Sequence, residues 1–486
     1  MKQLLGALLL AFPLVAGAHA FGQSYVLPLP FWMYAFAASA ALALSFLVVG
    51  YFVTAKSAER NARTVQLVTP RWARGPALDT LRGLSVAVLL LTLLTALFGT
   101  PNPFGNFSVT FFWIVFVLGF TYVVALVGDV YAAVNPWRGL CDFIEWRYPG
   151  AFRARAAYPA WLGYYPALAL YMAFIWIELF AHASPRGLGL CLLAYTLITL
   201  GGARLFGPDA WFRHGEMFGV ILRLVGKMAP LEYTAGGLRL RQPFVGLLKE
   251  PADHPSLLII VLFMLSSTAF DGVHQTLPWV QVFWKQIYPP LVTLFAQPYL
   301  FFVDFYYYWQ WAMLFLSPFF YLAIYLAFIW LMKRVAGSDR PLRELALEFA
   351  LSLVPIAFVY HVTHYYTLLA GQAPAMVQIV SDPFGWGWNL FGTARQAVEP
   401  FIVPADWVWH SQVALILVGH VVSVYLAHAR ALELFPRARH AVWSQLPMLI
   451  LMVAFTTAGL WILSLPIAAG QVVVPQTSAI GGLPPT

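Results

Sequence analysis

The chain has 486 residues, of which 61% are apolar and only 10% are charged, and its mean hydropathy is +0.74. A water-soluble protein of this length needs more polar surface, so soluble enzymes, fibres and nucleic-acid-binding proteins are excluded. The formal net charge of +8 therefore matters through where the basic residues lie. Two cysteines are too few for a disulfide framework, and they lack haem-attachment spacing. The composition predicts an all-α, polytopic membrane protein.

The amino terminus has the pattern of a secretory signal peptide. Lys2 precedes an apolar run over residues 4–15, and small residues then allow cleavage after residue 18 or residue 20. We expect residues 1–18 to be removed. Cleavage at that point makes His19 the first residue, and its amino group and imidazole together form a bidentate metal chelate.

Ten apolar stretches follow that are suited to cross a bilayer as helices. The predicted spans are Phe31–Val53, Leu81–Phe98, Val109–Tyr131, Pro159–Phe180, Leu188–Leu205, Leu257–Phe270, Trp309–Leu331, Leu345–Tyr366, Trp407–Leu426 and Leu446–Leu465. No internal repeat and no separate soluble segment is visible. Residues 19–486 are therefore expected to form a single helical membrane domain, a bundle of about ten transmembrane helices.

The basic residues alternate between the connections. Of the 28 Lys and Arg residues, all but Lys2, Arg186, Lys285 and Arg395 lie in or beside every second connection. Cytoplasmic connections collect basic residues, so the alternation places both mature termini outside the cytoplasm. In a bacterium this predicts a multi-pass protein of the inner membrane whose outer face meets the periplasm.

Three connections are long. The inner connection 204–256 contains an amphipathic run over 211–228 and a strand-like piece over 238–245. The outer connections 271–308 and 371–406 are rich in Trp, Tyr, Phe and Pro rather than in charged residues. Such residues favour the membrane–water interface, so we expect both connections to cap the outer face there.

Ionisable side chains collect at the predicted outer ends of the helices, where each needs a partner or a function. Residues three or four apart share a helical face. The candidates are the pairs Glu178 with His182, Asp271 with His274 and His361 with His364, together with His410, His19 and Asp304. Imidazole and carboxylate ligands suit zinc, iron, manganese or copper. The pattern predicts a divalent metal site on the periplasmic side, with the identity of the metal open.

Each candidate also has an ordinary interpretation, because His and Tyr at helix ends are common interface residues. The strongest pair is His361 and His364, since two imidazoles on one face of an apolar helix can reach one ion. His420 is predicted at mid-membrane, where it either ligates haem or, as we favour, bonds a neighbouring helix. On the inner side, Glu344 and Glu348 indicate an ion-paired helix start rather than a proton path.

Several motifs occur together in this chain. They are His19-Ala20-Phe21-Gly22, Leu27-Pro28-Leu29-Pro30, Asn135-Pro136-Trp137-Arg138, Asp271-Gly272-Val273-His274, the run His361 to Tyr366, and Ser381-Asp382-Pro383-Phe384-Gly385-Trp386-Gly387-Trp388. In this combination the chain resembles, over nearly its whole length, a family of bacterial polytopic membrane proteins labelled fenitrothion hydrolase. The resemblance implies a membrane-bound enzyme that cleaves an organophosphorus triester at its aryl ester bond, and it allows for a second subunit. It assigns no catalytic residues.

This chemistry suggests a use for the predicted metal site. A phosphotriester needs an activated water and a positive centre near its phosphoryl oxygen, and a bound metal ion supplies both. We therefore expect a metal-dependent hydrolase with His361, His364, His274 and Asp271 as ligands. Its expected partners are membrane lipid and an apolar small-molecule substrate from the bilayer or the periplasm, not nucleic acid.

Two other functional classes stay open. The first is a redox membrane subunit in which the same histidines bind copper or iron and pass electrons to a partner. The second is a transporter or metal permease, which would need polar groups threading the membrane. Metal content, redox signals and flux distinguish the three.

Overall fold

The computed structural model describes residues 30–53, 64–67, 75–181, 184–234, 237–295, 299–435 and 438–465. Within these ranges ten helices are long and apolar enough to cross a membrane. They are α1 (Phe31–Phe52), α2 (Pro76–Phe98), α3 (Phe107–Val127), α4 (Ala160–Ala181), α5 (Pro185–Phe206), α6 (Pro255–His274), α7 (Tyr299–Ala336), α8 (Leu342–Ile379), α9 (Ala405–Leu434) and α10 (Leu446–Ser464). The protein is a multi-pass helical membrane protein. The predicted signal peptide, His19 and His182 lie outside the described residues.

Two of the helices are much longer than their predicted spans. Helices α7 and α8 each have 38 residues. Helix α7 begins inside the predicted outer connection 271–308, and residues 277–294 of that connection are helical as well. Hydropathy decreases at Tyr-rich residues before the predicted span of α7 and at Gly371 and Gln372 after that of α8, although both segments remain helical. The first aromatic connection is therefore largely helical.

Helices α6 and α8 form the centre of the bundle. In their most apolar windows 78% of α6 and 72% of α8 is buried, against 17% of α1. Residues 257–265 of α6 are an unbroken apolar run, and all of them are buried. A helix that is apolar on every side is buried on every side. Because α6 packs against α4, α7 and α8, polar residues near its end face other helices rather than lipid.

Short elements occupy the connections between the spans. They are the helices Tyr131–Val134, Pro136–Arg147, Pro208–His214, Met217–Gly226 and Ala438–Ser444, and the strands β1 (Val65–Gln66), β2 (Leu231–Thr234) and β3 (Gly237–Leu240). The strands pair antiparallel in the order β1-β3-β2, with Leu240 opposite both Val65 and Leu231. The strand-like piece predicted over 238–245 is shorter than expected and ends at Leu240; further on, Phe244 adopts a left-handed conformation with φ of 68° before a 3-10 turn.

The helix Met217–Gly226, here called the floor helix, is buried inside the protein. Its N-cap is Glu216, which is fully buried and accepts hydrogen bonds from the backbone N–H groups of Phe218 (3.1 Å) and Gly219 (2.7 Å). The Asn135 side chain donates to the same carboxylate at 3.1 Å, and so does the Tyr195 hydroxyl. A carboxylate in this position satisfies amide donors that a helix start otherwise leaves unpaired. Glu216 thereby ties the floor helix to α5.

Gly128, just after α3, has a φ of 97°, and a Cβ built there would lie 2.4 Å from the carbonyl oxygen of Leu231. Gly128→Ala is expected to lower the free energy of unfolding by about 3 kcal/mol, because backbone strain and a backbone clash add. Gly150 is a matched control, since its φ is 86° and no described atom lies within 4 Å of an added Cβ. Gly150→Ala should lose only about 1 kcal/mol.

Thermal unfolding of both variants in detergent micelles measures this difference. Equal losses for Gly128→Ala and Gly150→Ala would contradict the close approach of Leu231 to the end of α3.

Candidate functional site

The centre of the candidate site is an ion pair between α6 and α8. His364 Nε2 lies 2.7 Å from Asp271 Oδ2, and the side chains are 20% and 11% exposed. A carboxylate at this distance accepts the ring N–H and fixes both the orientation and the tautomer of the imidazole. In a neutral His364 ring this makes Nδ1 the basic nitrogen. The pair is therefore held in place yet still reachable by a small molecule.

Two further side chains join the pair. The Tyr365 hydroxyl donates to Asp271 Oδ2 at 2.7 Å, so this oxygen serves both a histidine and a tyrosine. Glu178 lies close enough to interact with Tyr365 and with Asp271. It belongs to the π-helical end of α4, Ile177–Ala181, and π-helical turns within α-helices are frequent at functional sites. Helices α4, α6 and α8 thus each contribute to one buried polar cluster.

His361 lies one turn before His364 and Tyr365 on α8. It is half-buried, its ring packs edge-on against Tyr122 with centroids 6.0 Å apart, and it also contacts the Tyr365 ring. Its buried Nδ1 has no hydrogen-bond partner among the described residues. A buried polar atom without a partner is uncommon and calls for an explanation such as a ligand, a water or an ion. His361 is therefore the clearest candidate ligand in the cluster.

His274 is held by its own helix. Its Nδ1 lies 3.1 Å from the carbonyl oxygen of Phe270 and 2.9 Å from that of Asp271, and the His274 and Phe270 rings stack 5.3 Å apart. The distance from His274 Nδ1 to Asp271 Oδ1 is 3.9 Å. The predicted pairing of Asp271 with His274 is thus a loose contact, whereas the short one is made with His364.

Two cavities meet at the Asp271–His364 pair. The first, counted with its open mouth, holds about 860 Å³ of empty space between α3, α4, α6, α8 and the floor helix. Glu178, Asp271 and His361 line it, and most of its remaining wall is apolar. The second, also counted with its open mouth, holds about 520 Å³ between α6, α7, α8 and α10, and His364 lines it. Thr268 lines both, and the Asp271–His364 pair lies where the two cavities meet.

Three other candidates lie apart from this cluster. His410 is exposed in the first turns of α9, where its Nδ1 lies 2.7 Å from the carbonyl oxygen of Asp406. Asp304 is exposed on α7, and neither residue lines either cavity. His420 is buried, but its Nδ1 bonds the carbonyl oxygen of Ile416 at 2.8 Å. We predicted that His420 bonds a neighbouring helix. For Nδ1 this prediction is wrong, because this nitrogen bonds a carbonyl oxygen of its own helix.

Of the two inner carboxylates, only Glu344 forms the ion-paired helix start that was predicted for both. Glu344 pairs with Arg340 at 2.5 Å, four residues away on the same helix start. Glu348 lies 3.6 Å from Arg430 of α9, so its partner comes from another helix. Both pairs lie outside the two cavities.

Within the described ranges, no group of three or more His, Cys, Asp or Glu side chains is arranged to hold a metal ion. His361 and His364, expected to share one ion, line different cavities. The candidates His19 and His182 fall on residues that the structure does not describe. The metal site stays a prediction, and its ligands would have to rotate to converge on an ion.

Sequence reasoning missed two members of the site. Tyr365 lies four residues after His361 and therefore shares its helical face, a spacing that could have indicated its place in the site. Thr268 lies three residues before Asp271 and could have been found in the same way. No local pattern indicated that Tyr365 would lie beside Asp271, because that contact depends on how α6 packs against α8.

Comparison of the chain with protein-family models, with curated proteins and with solved structures finds no match. Fold and site together define a multi-pass helical membrane protein with a buried carboxylate, histidine and tyrosine cluster between two cavities. The resemblance to fenitrothion hydrolases stays an expectation.

Proposed function

We propose that this protein is a membrane-bound, metal-dependent hydrolase that cleaves neutral organophosphorus triesters at the aryl ester bond. The observation that carries the proposal is the 2.7 Å Asp271–His364 pair beside a mostly apolar cavity. An imidazole backed by a carboxylate is a recurrent general base, and hydrolysis requires a base to activate water.

The surroundings of the pair favour a neutral substrate. The cavity is lined by two carboxylic side chains, Glu178 and Asp271, within an otherwise largely apolar wall. An anionic phosphate ester would lose its hydration on entering a cavity whose wall is mostly apolar. A phosphotriester carries no charge, and its aryl and alkyl groups gain by leaving water.

Each residue of this cluster has its own role in the proposed reaction. His364 takes a proton from a water molecule, and Asp271 holds the resulting imidazolium by its negative charge. The water oxygen bonds to phosphorus while the bond from phosphorus to the aryl oxygen breaks, and the aryl oxide leaves and accepts the proton. The products are a phosphodiester and a phenol. Tyr365 keeps Asp271 in position through its 2.7 Å hydrogen bond.

A divalent metal ion completes the proposal. His361, Glu178 and Asp271 line the first cavity and supply the imidazole and carboxylate donors that such an ion prefers. In the sequence His182 follows Glu178 by four residues and is a further candidate donor. When bound, the ion would polarise the phosphoryl oxygen and lower the pKa of water. We place the protein in the inner membrane with this cluster towards the periplasm, supported by the distribution of Lys and Arg.

Metal content and hydrolysis measured on one purified sample test the proposal. Wild-type protein in lipid nanodiscs should contain about one divalent ion per chain by mass spectrometry and release the phenol from a neutral aryl phosphotriester. His361→Ala should lose the metal and about 100-fold of the hydrolysis rate, because a ligand is removed. His410→Ala is the control, since His410 is exposed and apart from both cavities, and it should retain both.

The outcomes distinguish the functional classes. Correctly folded wild-type protein without metal would refute the metal-dependent mechanism. Bound copper or iron with a paramagnetic signal but no phenol release would favour the redox subunit instead.

A further inference from the structure

The second cavity opens on the side of the helix bundle. Among its lining residues, Ala458 of α10 is exposed, whereas its neighbour Gly459 and Thr363 of α8 are buried. Ala458 lies about 9 Å along the helix axis before the end of α10 at Ser464, given the rise of an α-helix. The opening is therefore at the depth of the hydrocarbon layer rather than at the helix ends.

The same cavity reaches the Asp271–His364 pair at its other end. His364 lines the cavity, and 20% of its side chain is exposed. Thr268 lines this cavity and the first one, and Asp271 lines the first. A molecule passing from Ala458 to His364 thus arrives at the proposed base without crossing the aqueous surface.

The walls of the passage suit a neutral, apolar molecule. The Tyr321 and Phe455 rings stack 5.3 Å apart in the wall, and no Asp, Glu, Lys or Arg lines it among the described residues. Gly272 is also in the wall, and a Cβ built there would lie 2.8 Å from Ile462. Small residues thus allow α6 and α10 to approach closely, while a charged molecule would lose its hydration with no charged partner to replace it.

We propose that the second cavity is a lateral entry through which a neutral, apolar phosphotriester moves from the hydrocarbon layer to the Asp271–His364 pair. This inference rests on the proposed function for the identity of the substrate. The bilayer concentrates such a substrate, so entry at membrane depth shortens its path and excludes ionic competitors.

Photolabelling tests the entry independently of catalysis. The probe is a neutral trialkyl phosphate carrying a diazirine, added to the full-length protein in lipid nanodiscs and activated by light. We expect covalent label on residues 455–462 of wild type. Ala458→Leu fills the opening and should reduce this labelling about 10-fold, with an equal fall in kcat/KM for triester hydrolysis through a higher KM.

Ala454→Leu is the matched control, because Ala454 is exposed on the same helix one turn earlier and does not line the cavity. It should leave both labelling and kcat/KM unchanged. Equal labelling of the Ala458→Leu and Ala454→Leu proteins would overturn the entry, whatever their hydrolysis rates. Label on 455–462 that is lost in Ala458→Leu, from a wild-type protein that hydrolyses no triester, would support the entry and refute the proposed function.

Discussion

Asp271→Asn is expected to lower the rate of triester hydrolysis about 1000-fold, or about 4 kcal/mol in the activation free energy, while the protein stays folded. An asparagine has the same shape and can still accept the hydrogen bond from Tyr365. It lacks the negative charge that orients His364 and stabilises its protonated form across 2.7 Å. Phenol release from a neutral aryl phosphotriester in nanodiscs measures the effect.

His364→Gln should cause a loss of the same size, because the two residues act as one unit. The double variant Asp271→Asn/His364→Gln should be no slower than either single variant. Asp406→Asn is a suitable control, since Asp406 is exposed at the start of α9. Two results would show that the pair does not act as a unit in hydrolysis. One is a rate for Asp271→Asn within about threefold of wild type, and the other is a double variant in which the two single losses multiply.

Glu216→Ala is expected to lower the free energy of unfolding by about 4 kcal/mol, the largest stability effect of the changes proposed here. The substitution removes the acceptor for the backbone N–H groups of Phe218 and Gly219, the Asn135 amide and the Tyr195 hydroxyl. These donors are buried or half-buried, so water replaces the lost acceptor poorly.

The midpoint of thermal unfolding in detergent micelles, compared with wild type, gives the measurement. Glu344→Ala provides the control, because that carboxylate is exposed and its pair with Arg340 should contribute less than about 1 kcal/mol. Glu216→Gln keeps one acceptor oxygen and should fall between the two. A Glu216→Ala protein as stable as Glu344→Ala would show that the floor helix does not depend on its cap.

The ten spans could be predicted because membrane-crossing length and apolar composition are local properties of the chain. The predicted spans of α7 and α8 are too short where hydropathy decreases although the helix continues. Helix α7 continues outward through Tyr-rich residues, and α8 continues past Tyr366 to Ile379. Hydropathy decreases there because of Tyr residues in α7 and because of Gly371, Gln372 and Gln378 in α8, while the helical backbone continues.

For the floor helix, the sequence predicted the helical pattern but not what covers its apolar face. The sequence predicts an amphipathic run over 211–228, which is also typical of a helix lying on a membrane surface. The structure instead buries Met217, Phe218 and Val225 against the spanning helices, and all three line the first cavity. An amphipathic pattern specifies that one face avoids water, but not whether lipid or protein covers that face.

The sequence by itself determined that this is a helical membrane protein, that Asp271 lies near the end of its helix, and that His361 and His364 lie one turn apart on theirs. Hydropathy and helical spacing suffice for this, since both act over a few turns. Only the tertiary structure decided that Asp271 bonds His364 rather than His274, and that Tyr365, 94 residues away, shares its oxygen. Those contacts depend on how α6 and α8 rotate and cross, which side-chain packing along their whole length sets and no local pattern records.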